Sequence, residues 1–581
     1  MRPEALANPA ALPGTVGGLL VRAAGIDEGG LRFLDRKERA EFLTWPQIHE
    51  RAARVGAALA DRGVLPGERV AMILPTSPLF MDAWFGCHLI GAVPVALYPP
   101  LRLGRMDEYE DRTVAMLQAA SAVAVLTDAR VHRVLGVVAQ RSATRLGFLR
   151  VEQLGAGSAA GDRPVPSDPD ALAMVQFSSG TTRSPKPVGL THRQILASAN
   201  ASLDSFASGG CTRGVGVSWL PLYHDMGLIG SLLPAVMGPV EVTLLKPEDF
   251  LLKPALWFRA MSRYRGAVSA GPDFAYGRCL DQIRDDELDG VDLSSWEVAI
   301  NAAEAISPAR MRQFAERFAA WGFRAEALTP SYGLAEAALG VTFGRVGQPY
   351  RTLVLDALAL TEGRAEPAES GARSVELPSL GPPMKGFAVQ IRGADGAPQQ
   401  DRIVGGVFAS GPSLMTGYLD GQPSPIRDGW LDTGDLGFLD QGELYVTGRS
   451  KDVIILRGRN HAPHDVERTL DAVPGVRTGC SIAVGEVTSE GEQLVVFVET
   501  RQDRPGLLND CRAAILAGTG LTPTELVSLL PGTLPRTSSG KLRRAEALRS
   551  WRDGSLSAPD KVTVGHAAKL YLRGVLGHLR T

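Results

Sequence analysis

Small hydroxyl residues, a glycine and a lysine are grouped in one segment of this sequence in a way that suits phosphate binding. The run Phe177–Thr191 reads FSSGTTRSPKPVGLT, and Lys186 comes six positions after Gly180. Backbone N–H groups in such a turn can converge on phosphate oxygens, hydroxyls add donors, and lysine adds a point charge. The segment is not a Walker loop, because Pro187 stands where that loop needs Ser or Thr. By itself, a loop of this composition is more often ordinary surface.

A second segment offers groups for a nucleobase and a metal ion. The run SYGLAE at 331–336 places Tyr332 and Glu336 four residues apart. If a helix begins there, the two side chains share one of its faces. An aromatic ring for the base and a carboxylate for Mg²⁺ would then face the same ligand.

Two later segments add a carboxylate and two cations. The run WLDTGDLGFLDQGELYVTGR at 430–449 predicts Asp435 in a glycine-flanked turn and Arg449 at the end of the next strand. The Asp435 carboxylate could accept hydrogen bonds from both hydroxyls of a ribose. The run LPRTSSGKLRR places Lys541 in a Ser/Gly loop, from which it could swing into a site. Taken alone, this last run is a basic surface loop.

Alternating helices and apolar strands must position these segments. Between Phe42 and Pro100 a helix, a strand, a second helix and a second strand follow each other through short links. The same alternation returns at 122–129, 215–245 and 266–300. It predicts an α/β protein whose mostly parallel sheets are covered by helices on both faces.

Composition limits the class of protein. The chain has 581 residues, 45% hydrophobic and 21% charged, which is typical of a soluble globular protein with at least two domains. Its net charge of −2 provides no general basic surface, so we expect no nucleic-acid partner. The five cysteines include no CxxC pair, which argues against a disulfide framework and a zinc cluster. Together with the lack of a secretory pattern, this favours a cytoplasmic protein.

One stretch, Ala83–Pro100, is apolar enough to raise the question of a membrane span. His88, Pro94 and the Pro99–Pro100 pair interrupt it where a spanning helix should continue. We interpret it as a buried helix followed by a core strand, and we expect no membrane insertion.

Changes of pattern indicate where the chain divides. The Gly-, Ser-, Pro- and Asp-rich run at 156–170 ends one subdomain. From Leu353 to Pro382 the pattern weakens into an Ala-, Glu- and Gly-rich stretch, which we interpret as a partly helical insertion. Mixed strands and helices between Arg449 and Arg549 predict a separate small α+β domain. The last residues, ending GHAAKLYLRGVLGHLRT, are a candidate amphipathic helix.

In this order, the phosphate-type loop and the three later segments resemble the adenylate-forming superfamily of acyl-CoA ligases, luciferases and nonribosomal adenylation domains. The resemblance covers about residues 15–549. Within the superfamily, four runs are most similar to the fatty acyl-AMP ligases: PLYHDMGLIG at 221–230, AGPDFAYGRC at 270–279, DLSSWEVAINAAEAI at 292–306 and TGRSKDVIILRGRNHAPHDVE at 447–467.

The resemblance implies an α/β fold in two domains. A large N-terminal domain, 1–449, would combine layered doubly wound sheets with a β-barrel-like subdomain, and a small mobile α+β domain, 450–581, would carry the catalytic lysine. Lys451 matches the family's hinge position, so the small domain would rotate between two half-reactions. An insertion at about 344–378 is implied to restrain that motion and disfavour coenzyme A. The alternative is a surface insertion that the fold merely tolerates.

The implied activity is the activation of a fatty acid with ATP. Acyl-adenylate and pyrophosphate would form first, with Mg²⁺ required. The acyl group would then pass to the phosphopantetheine thiol of an acyl carrier protein, or of a carrier domain in a polyketide or nonribosomal peptide synthase. Lys541 would be catalytic, because attack of a carboxylate on the α-phosphate joins two anions and needs a bridging cation. His224 would lie near the acyl carboxylate.

The remaining roles are carried over by position. Glu336 would hold Mg²⁺. Nucleotide binding is assigned to Ser178, Ser179, Gly180, Thr181, Thr182, Lys186, Ala303, Glu304, Ser331, Tyr332, Gly333, Asp435 and Arg449. Acyl binding is assigned to Met226, Leu228, Ile229, Gly230 and Phe274.

Other functions stay open at this stage. An acyl-CoA ligase would use the same chemistry with free coenzyme A as acceptor. An amino-acid-activating enzyme would pair Asp225 with an ammonium, although the apolar run that follows disfavours a polar site. A non-catalytic nucleotide-binding scaffold is the third alternative. His461 and His464 could suggest a metal site, but Pro463 separates them and no further ligand cluster follows.

Overall fold

Helices and strands alternate along most of the chain in a computed structural model, which describes residues 12–26, 28–100, 103–157, 166, 168–178, 185–211, 214–488, 491–501, 504–537, 540–559 and 573. The strands are β1 (Gly30–Leu34), β2 (Ala40–Thr44), β3 (Arg69–Ile73), β4 (Val93–Leu97), β5 (Ala124–Thr127), β6 (Phe148–Arg150), β7 (Leu172–Phe177), β8 (Pro187–Thr191), β9 (Gly216–Ser218), β10 (Glu241–Leu245), β11 (Val268–Gly271), β12 (Val298–Asn301), β13 (Leu328–Gly333), β14 (Gly340–Phe343), β15 (Thr352–Asp356), β16 (Ser374–Pro378), β17 (Ala388–Arg392), β18 (Gly405–Ser410), β19 (Gly417–Tyr418), β20 (Ile426–Arg427), β21 (Trp430–Asp440), β22 (Glu443–Arg449), β23 (Ile454–Leu456), β24 (Arg459–His461), β25 (Val476–Thr488), β26 (Gly491–Thr500) and β27 (Glu525–Leu529).

The α-helices cover the sheets and link successive strands. They are α1 (Val16–Ala24), α2 (Trp45–Asp61), α3 (Pro78–Leu89), α4 (Met106–Ala119), α5 (Ala129–His132), α6 (Gly136–Ser142), α7 (Val151–Gly157), α8 (His192–Ser208), α9 (Asp225–Gly227), α10 (Leu233–Met237), α11 (Pro247–Leu252), α12 (Ala255–Arg263), α13 (Asp273–Gln282), α14 (Pro308–Phe318), α15 (Ala357–Thr361), α16 (Pro463–Asp471), α17 (Leu507–Thr519) and α18 (Arg544–Arg552).

Two extended sheets form the large N-terminal part. One has eight strands in the order β14, β13, β12, β11, β9, β10, β1, β2, and the other has seven in the order β19, β8, β7, β4, β3, β5, β6. The central pairs are parallel, for example β3 with β4 and β11 with β12. Antiparallel pairs lie at the ends of these orders, such as β1 with β2 and β13 with β14. The predicted α/β class with helix-covered, mostly parallel sheets is confirmed.

The apolar stretch Ala83–Pro100 folds as predicted into a buried helix followed by a core strand. Trp84 on α3 is fully buried, and all of β4 is buried. Along the described ranges, we find no helix with the length and hydropathy needed to cross a bilayer.

Local sequence signals explain why α8 begins where it does. The Thr191 hydroxyl accepts a hydrogen bond from the Gln194 backbone N–H, and the Gln194 side chain accepts one from the Thr191 N–H at 2.8 Å. This reciprocal capping box satisfies two of the backbone donors that a helix start leaves unpaired. It fixes the start of α8 directly after the end of β8.

A five-stranded antiparallel sheet, in the order β17, β18, β21, β20 with β22 beside β21, corresponds to the expected β-barrel-like part. The insertion forms the antiparallel hairpin β15–β16 with the short helix α15 between its strands. Its side chains Leu355 and Leu377 pack with Phe438 and Tyr445 of that sheet. The segment that we interpret as an insertion is thus partly helical and packs on this sheet.

The C-terminal part has a sheet of its own. β25 pairs with β26 in antiparallel fashion and β26 with β27 in parallel fashion, and α16 and α17 share a hydrophobic cluster with them. This is the predicted small α+β domain. The candidate amphipathic helix at the C-terminus lies outside the described residues except for Arg573, which pairs with Asp107 and Glu110 at 3.0 Å each.

Two local predictions are wrong. Tyr332 and Glu336 do not share a helix, because Tyr332 belongs to β13 while Glu336 lies in a 3₁₀ turn at Ala335–Ala337. Pairing of β13 with β14 extends the strand as far as Gly333. Asp435 lies inside β21 rather than in a turn, since it pairs with Arg449 of β22.

Candidate active site

The pairing of β21 with β22 sets Asp435 opposite Arg449 in one corner of the site. The Arg449 Nε lies 3.2 Å from Asp435 Oδ1, and the Tyr332 hydroxyl donates to Asp435 Oδ2 at 2.6 Å. Burial and the charge of Asp435 raise the pKa of Tyr332 well above its ordinary value. The phenol therefore stays a neutral donor to the Asp435 carboxylate. Tyr332 and Arg449 line the cavity, whereas Asp435 is buried beside them and is not among the lining residues.

A tight loop after β12 supplies the neighbouring wall. Ala303 has φ +73°, an uncommon conformation for a residue with a Cβ, and it lines the cavity. The Glu304 carboxylate accepts a hydrogen bond from the Phe274 backbone N–H at 3.2 Å. Burial and the nearby Asp273 raise the pKa of Glu304. Ser331 and Gly333 of β13 also line the cavity.

Only the ends of the predicted phosphate loop can be placed. Ser179, Gly180, Thr181 and Thr182 lie outside the described residues, whereas Ser178 lines the cavity. The Ser178 backbone N–H donates to the Lys186 carbonyl at 3.0 Å, so the two ends of the loop meet.

Lys186 and Glu336 are linked through a residue that carries no sequence motif. The Lys186 ammonium lies 4.4 Å from the centre of the Tyr418 ring, and the Tyr418 hydroxyl donates to Glu336 Oε1 at 3.0 Å. Tyr418 belongs to β19, which pairs with β8 beside the loop. Lysine, tyrosine and carboxylate thus form one connected group next to the cavity.

The residues present fit a magnesium ion held together with a substrate. Glu336 lines the cavity, but the described part of the chain contains no cluster of three or more His, Cys, Asp or Glu side chains that could hold a metal alone. Mg²⁺ is commonly bound by one or two carboxylates plus substrate phosphates and water. Glu336 is such a carboxylate, and the same finding gives His461 and His464 no metal cluster.

Lys541 reaches the cavity from the small domain. It lines the same space as His224, Arg449 and Tyr332. Burial and the neighbouring Arg449 lower the pKa of Lys541. Three carboxylates act in the opposite direction and raise the pKa of Lys541: Asp225, Glu304 and Asp435.

Polar contacts between the domains hold Lys541 in this place. Arg112 of α4 pairs with Glu546 of α18 at 2.7 Å, and Arg105 donates to the Thr533 carbonyl at 3.1 Å. On another side, Arg310 of α14 donates to Asp471 of α16 at 2.9 Å.

His224 and Asp225 form a close pair at the start of α9. His224 Nδ1 lies 2.5 Å from Asp225 Oδ1. Although burial acts to raise it, the pKa of Asp225 is lowered by His224 and by Lys541. Asp225 is therefore already paired inside the protein. Gly227 is required two residues later, because a Cβ there would lie 2.3 Å from the Pro221 carbonyl oxygen.

An apolar extension of the cavity continues beyond this pair, and the whole cavity has a volume of about 180 Å³. Of the residues assigned to acyl binding, Met226 and Gly230 line the cavity. Leu228 and Ile229 are not among the lining residues and are fully buried in the hydrophobic core, within a π-helical turn at Leu228–Leu232. Phe274 is not among the lining residues and packs edge-on against Trp219.

Sequence reasoning missed most of the apolar lining. Thr433 lies within the run at 430–449 but was assigned no role. The lining residues outside the quoted runs are Gln176, Ser202, Phe206, Leu339, Gly340, Phe343 and Met384. Their types are those of an ordinary core, and only the fold brings α8 and β14 to the same cavity.

Lys451 lies just outside the site. It is exposed and lies two residues after the end of β22. The adjacent Ser450 N–H donates to the Gly434 carbonyl at 3.0 Å. Asp452 on the other side pairs with Arg544 of the small domain at 3.2 Å.

Comparison with known proteins gives matches over almost the whole chain. The family model "AMP-binding enzyme" matches residues 28–419. The long-chain-fatty-acid–AMP ligase FadD26 of Mycobacterium marinum is 32% identical over 566 residues, covering 91% of this chain and 95% of that protein. The medium-chain-fatty-acid–[acyl-carrier-protein] ligase JamA of Moorena producens is 32% identical over 552 residues, covering 90% of this chain and 92% of that protein.

Solved structures agree with these matches. A structure from work on fatty acyl-adenylate ligases of E. coli and L. pneumophila has a TM-score of 0.87 and 34% identity, covering 94% of this chain and 99% of its own. A McyG adenylation domain with its carrier domain, in complex with phenylalanyl-adenylate, has a TM-score of 0.82 at 23% identity, covers 93% of this chain and 95% of its own, and supports the fold alone.

Proposed function

Since this chain belongs to the AMP-binding enzyme family and, within it, to the fatty acyl-AMP ligases, which are ATP-dependent and AMP-forming, we propose that it joins a fatty acid to AMP and passes the acyl group to a carrier-protein thiol. The observation that carries the proposal is one continuous cavity. Its polar end is lined by His224, Arg449 and Lys541, and its other end is apolar. A nucleotide and an aliphatic acid need such adjoining environments.

In the first step, a carboxylate oxygen of the acid bonds to the α-phosphorus of ATP. The bond from that phosphorus to the oxygen bridging toward the β-phosphate breaks, and pyrophosphate leaves with the electron pair. We assign Lys541 as the cation that offsets charge between the two reacting anions. Binding of the ATP polyanion beside Lys541 opposes the lowering of its pKa by burial.

Nucleotide orientation is assigned to the large domain. In this proposal Asp435 accepts hydrogen bonds from the ribose, Arg449 supports that carboxylate, and Tyr332 and Ala303 flank the adenine. Ser178 and Lys186 end the pyrophosphate loop, to which Ser179, Gly180, Thr181 and Thr182 also belong. Glu336 would hold Mg²⁺, which offsets phosphate charge when bound.

His224 is assigned to orient the acid. It lines the cavity between Lys541 and the apolar extension, and its Nδ1 is engaged by Asp225. The pairing fixes the imidazole ring so that its other nitrogen can face a substrate carboxylate. Because Asp225 is already paired with His224, this arrangement does not favour an amino-acid substrate, whose ammonium would need a free carboxylate.

In the second step, a thiol sulfur bonds to the acyl carbonyl carbon, the thiol proton is lost to solvent, and AMP leaves. We propose that this requires the small domain, 450–581, to rotate at Lys451 relative to the large domain, 1–449. A carrier-protein acceptor is supported by the relative JamA, which is named as an acyl-carrier-protein ligase. The five cysteines are buried and none is in a disulfide, which suits a reducing compartment, and a cytoplasmic location is part of the proposal.

The insertion supports the preference for a carrier protein over free coenzyme A. Its Glu376 forms two hydrogen bonds with Arg312 of the large domain, at 2.7 and 2.9 Å. Its Arg373 donates to the Thr519 carbonyl of the small domain at 2.6 Å. A segment bound to both domains opposes their separation, and we propose that it limits access of a free thiol.

The test is pyrophosphate release with ATP, Mg²⁺ and a panel of fatty acids, followed by product analysis with coenzyme A and with a phosphopantetheinylated carrier protein. We expect acyl-adenylate that persists with coenzyme A and is consumed by the carrier protein. Efficient acyl-CoA formation would show the alternative, an acyl-CoA ligase. No pyrophosphate with any acid would contradict the proposed activity. The comparisons leave chain length open, because FadD26 is named for long-chain acids and JamA for medium-chain acids.

A further inference from the structure

We propose that the rings of Phe206 and Phe343 close the apolar end of the cavity and restrict the enzyme to medium-chain acids. The inference rests on the proposed function and adds the length class of its acid substrate. Both rings line the cavity, and their centroids lie 5.7 Å apart at an interplanar angle of 66°. Edge-to-face contacts of this kind are favourable, so each ring holds the other in place.

The lining in front of the two rings is short. Met226 and Gly230 are four residues apart on one wall, and Ser202 and Phe206 are four apart on α8. Four residues of helix rise by about 6 Å, so each wall offers roughly one helical turn of length. A chain that begins at His224 therefore meets the rings after a medium length.

Tight packing behind the rings opposes their displacement. A Cβ placed on Gly209, just after α8, would lie 2.2 Å from the Cβ of Val346, which follows β14. The C-terminal end of α8 therefore presses directly on the chain beyond Phe343. Three residues before Phe343, a Cβ on Gly340 would lie 2.8 Å from the sulfur of Met384, which also lines the cavity. The backbone near each ring is therefore closely packed.

The walls between entrance and rings suit methylene groups. A Cβ on Gly230 would lie 3.1 Å from Leu339 Cδ2, so glycine there keeps the passage open. The hydroxyl of Ser202 donates to the Ser198 carbonyl at 3.2 Å, so it needs no hydrogen-bond acceptor from the ligand. These features favour a plain aliphatic chain.

The test compares pyrophosphate release with hexanoate, octanoate, dodecanoate and hexadecanoate in the full-length enzyme and its variants. We expect the wild type to prefer octanoate to hexadecanoate. Phe206→Ala and Phe343→Ala should raise the kcat/KM for hexadecanoate, by about fourfold for each methylene newly enclosed. Phe438→Leu, a buried phenylalanine stacked on Tyr445 outside the cavity, serves as the control and should keep the wild-type profile.

A variant that should shift the chain-length preference in the opposite direction tests the inference if an alanine variant fails to fold. Ser202→Val adds volume in front of the rings and should move the preference toward hexanoate. A wild type that prefers hexadecanoate, or folded variants that all keep the wild-type profile, would overturn the inference while leaving the proposed function intact. Absence of turnover with every acid would overturn the proposed function, and this inference with it.

Discussion

Lys541 is the residue on which the candidate chemistry depends most. The other charged side chains that line the cavity in the described part of the chain, among them Arg449 and Glu336, come from the large domain. In the proposed reaction, the charge of Lys541 lies where the two reacting anions meet. The effect of such a group is exerted on the transition state more than on the bound substrate.

Replacing Lys541 tests this at the scale of a single side chain. We expect Lys541→Ala to reduce pyrophosphate release by about 10²–10³-fold, the usual loss when a preorganised charge-stabilising donor is removed. ATP binding, measured by calorimetry, should change little, because the nucleotide contacts remain. Lys37→Ala, an exposed lysine far along the sequence, is the matched control and should behave as wild type. Unchanged turnover of Lys541→Ala would remove it from the mechanism.

At the scale of elements, the sequence was most informative where local rules decide the outcome. The alternation of α2, β3, α3 and β4 was predictable, because apolar period and helix caps are local signals. The helix expected at 331–336 was wrong, since pairing with β14 overrides local spacing. Phe206, Phe343 and Tyr418 could not be found, because their roles depend on which distant elements meet.

The contact between α14 and α16 is an element-scale feature that can be tested. Arg310 is shared by Asp471 of the small domain and Asp273 of the large domain. Asp273 in turn accepts hydrogen bonds from Asn301, at 3.0 Å, and from the Ser307 N–H, at 3.2 Å. The ion pair thus connects the small domain with the strand that precedes the Ala303 loop.

Asp471→Asn should loosen this connection without unpairing Arg310, which keeps Asp273. A charged hydrogen bond is worth about 1.5–3 kcal/mol, so we expect pyrophosphate release to fall by roughly 10- to 100-fold. The rate of acyl transfer from added acyl-adenylate should stay at the wild-type value. Asp510→Asn, which breaks the exposed pair with Arg504 in the same domain, should change neither reaction. Equal losses in both half-reactions would argue against a link to domain position.

At the scale of the whole molecule, we expect acidic pH to weaken the contact between α1 and α8. The Val16 backbone N–H donates to His192 Nδ1 at 3.3 Å, which requires a neutral imidazole. Burial lowers the pKa of His192 to about 4, against the opposing influence of Asp168. The folded pKa lies below the unfolded value of 6.5, so the stabilisation is present above pH 6.5 and is lost as the pH falls toward 4.

Thermal unfolding at pH 7 and pH 5 measures this contribution. We expect His192 to account for about 2 kcal/mol of the stability lost between these values. His192→Gln should therefore show a smaller drop in Tm over the same interval than the wild type. His49→Gln, a less buried histidine on α2, is the comparison variant. Parallel pH profiles for the wild type and His192→Gln would contradict the assignment.

The position of Lys541 on the small domain also bears on the direction of the reaction. A group that lowers the barrier for joining acid and nucleotide lowers it equally for the return path, in which pyrophosphate attacks the adenylate. In the proposed rotation, the small domain carries this lysine out of the site. The bound intermediate would then revert to ATP much more slowly, so the rotation would commit each activated acyl group to its next acceptor.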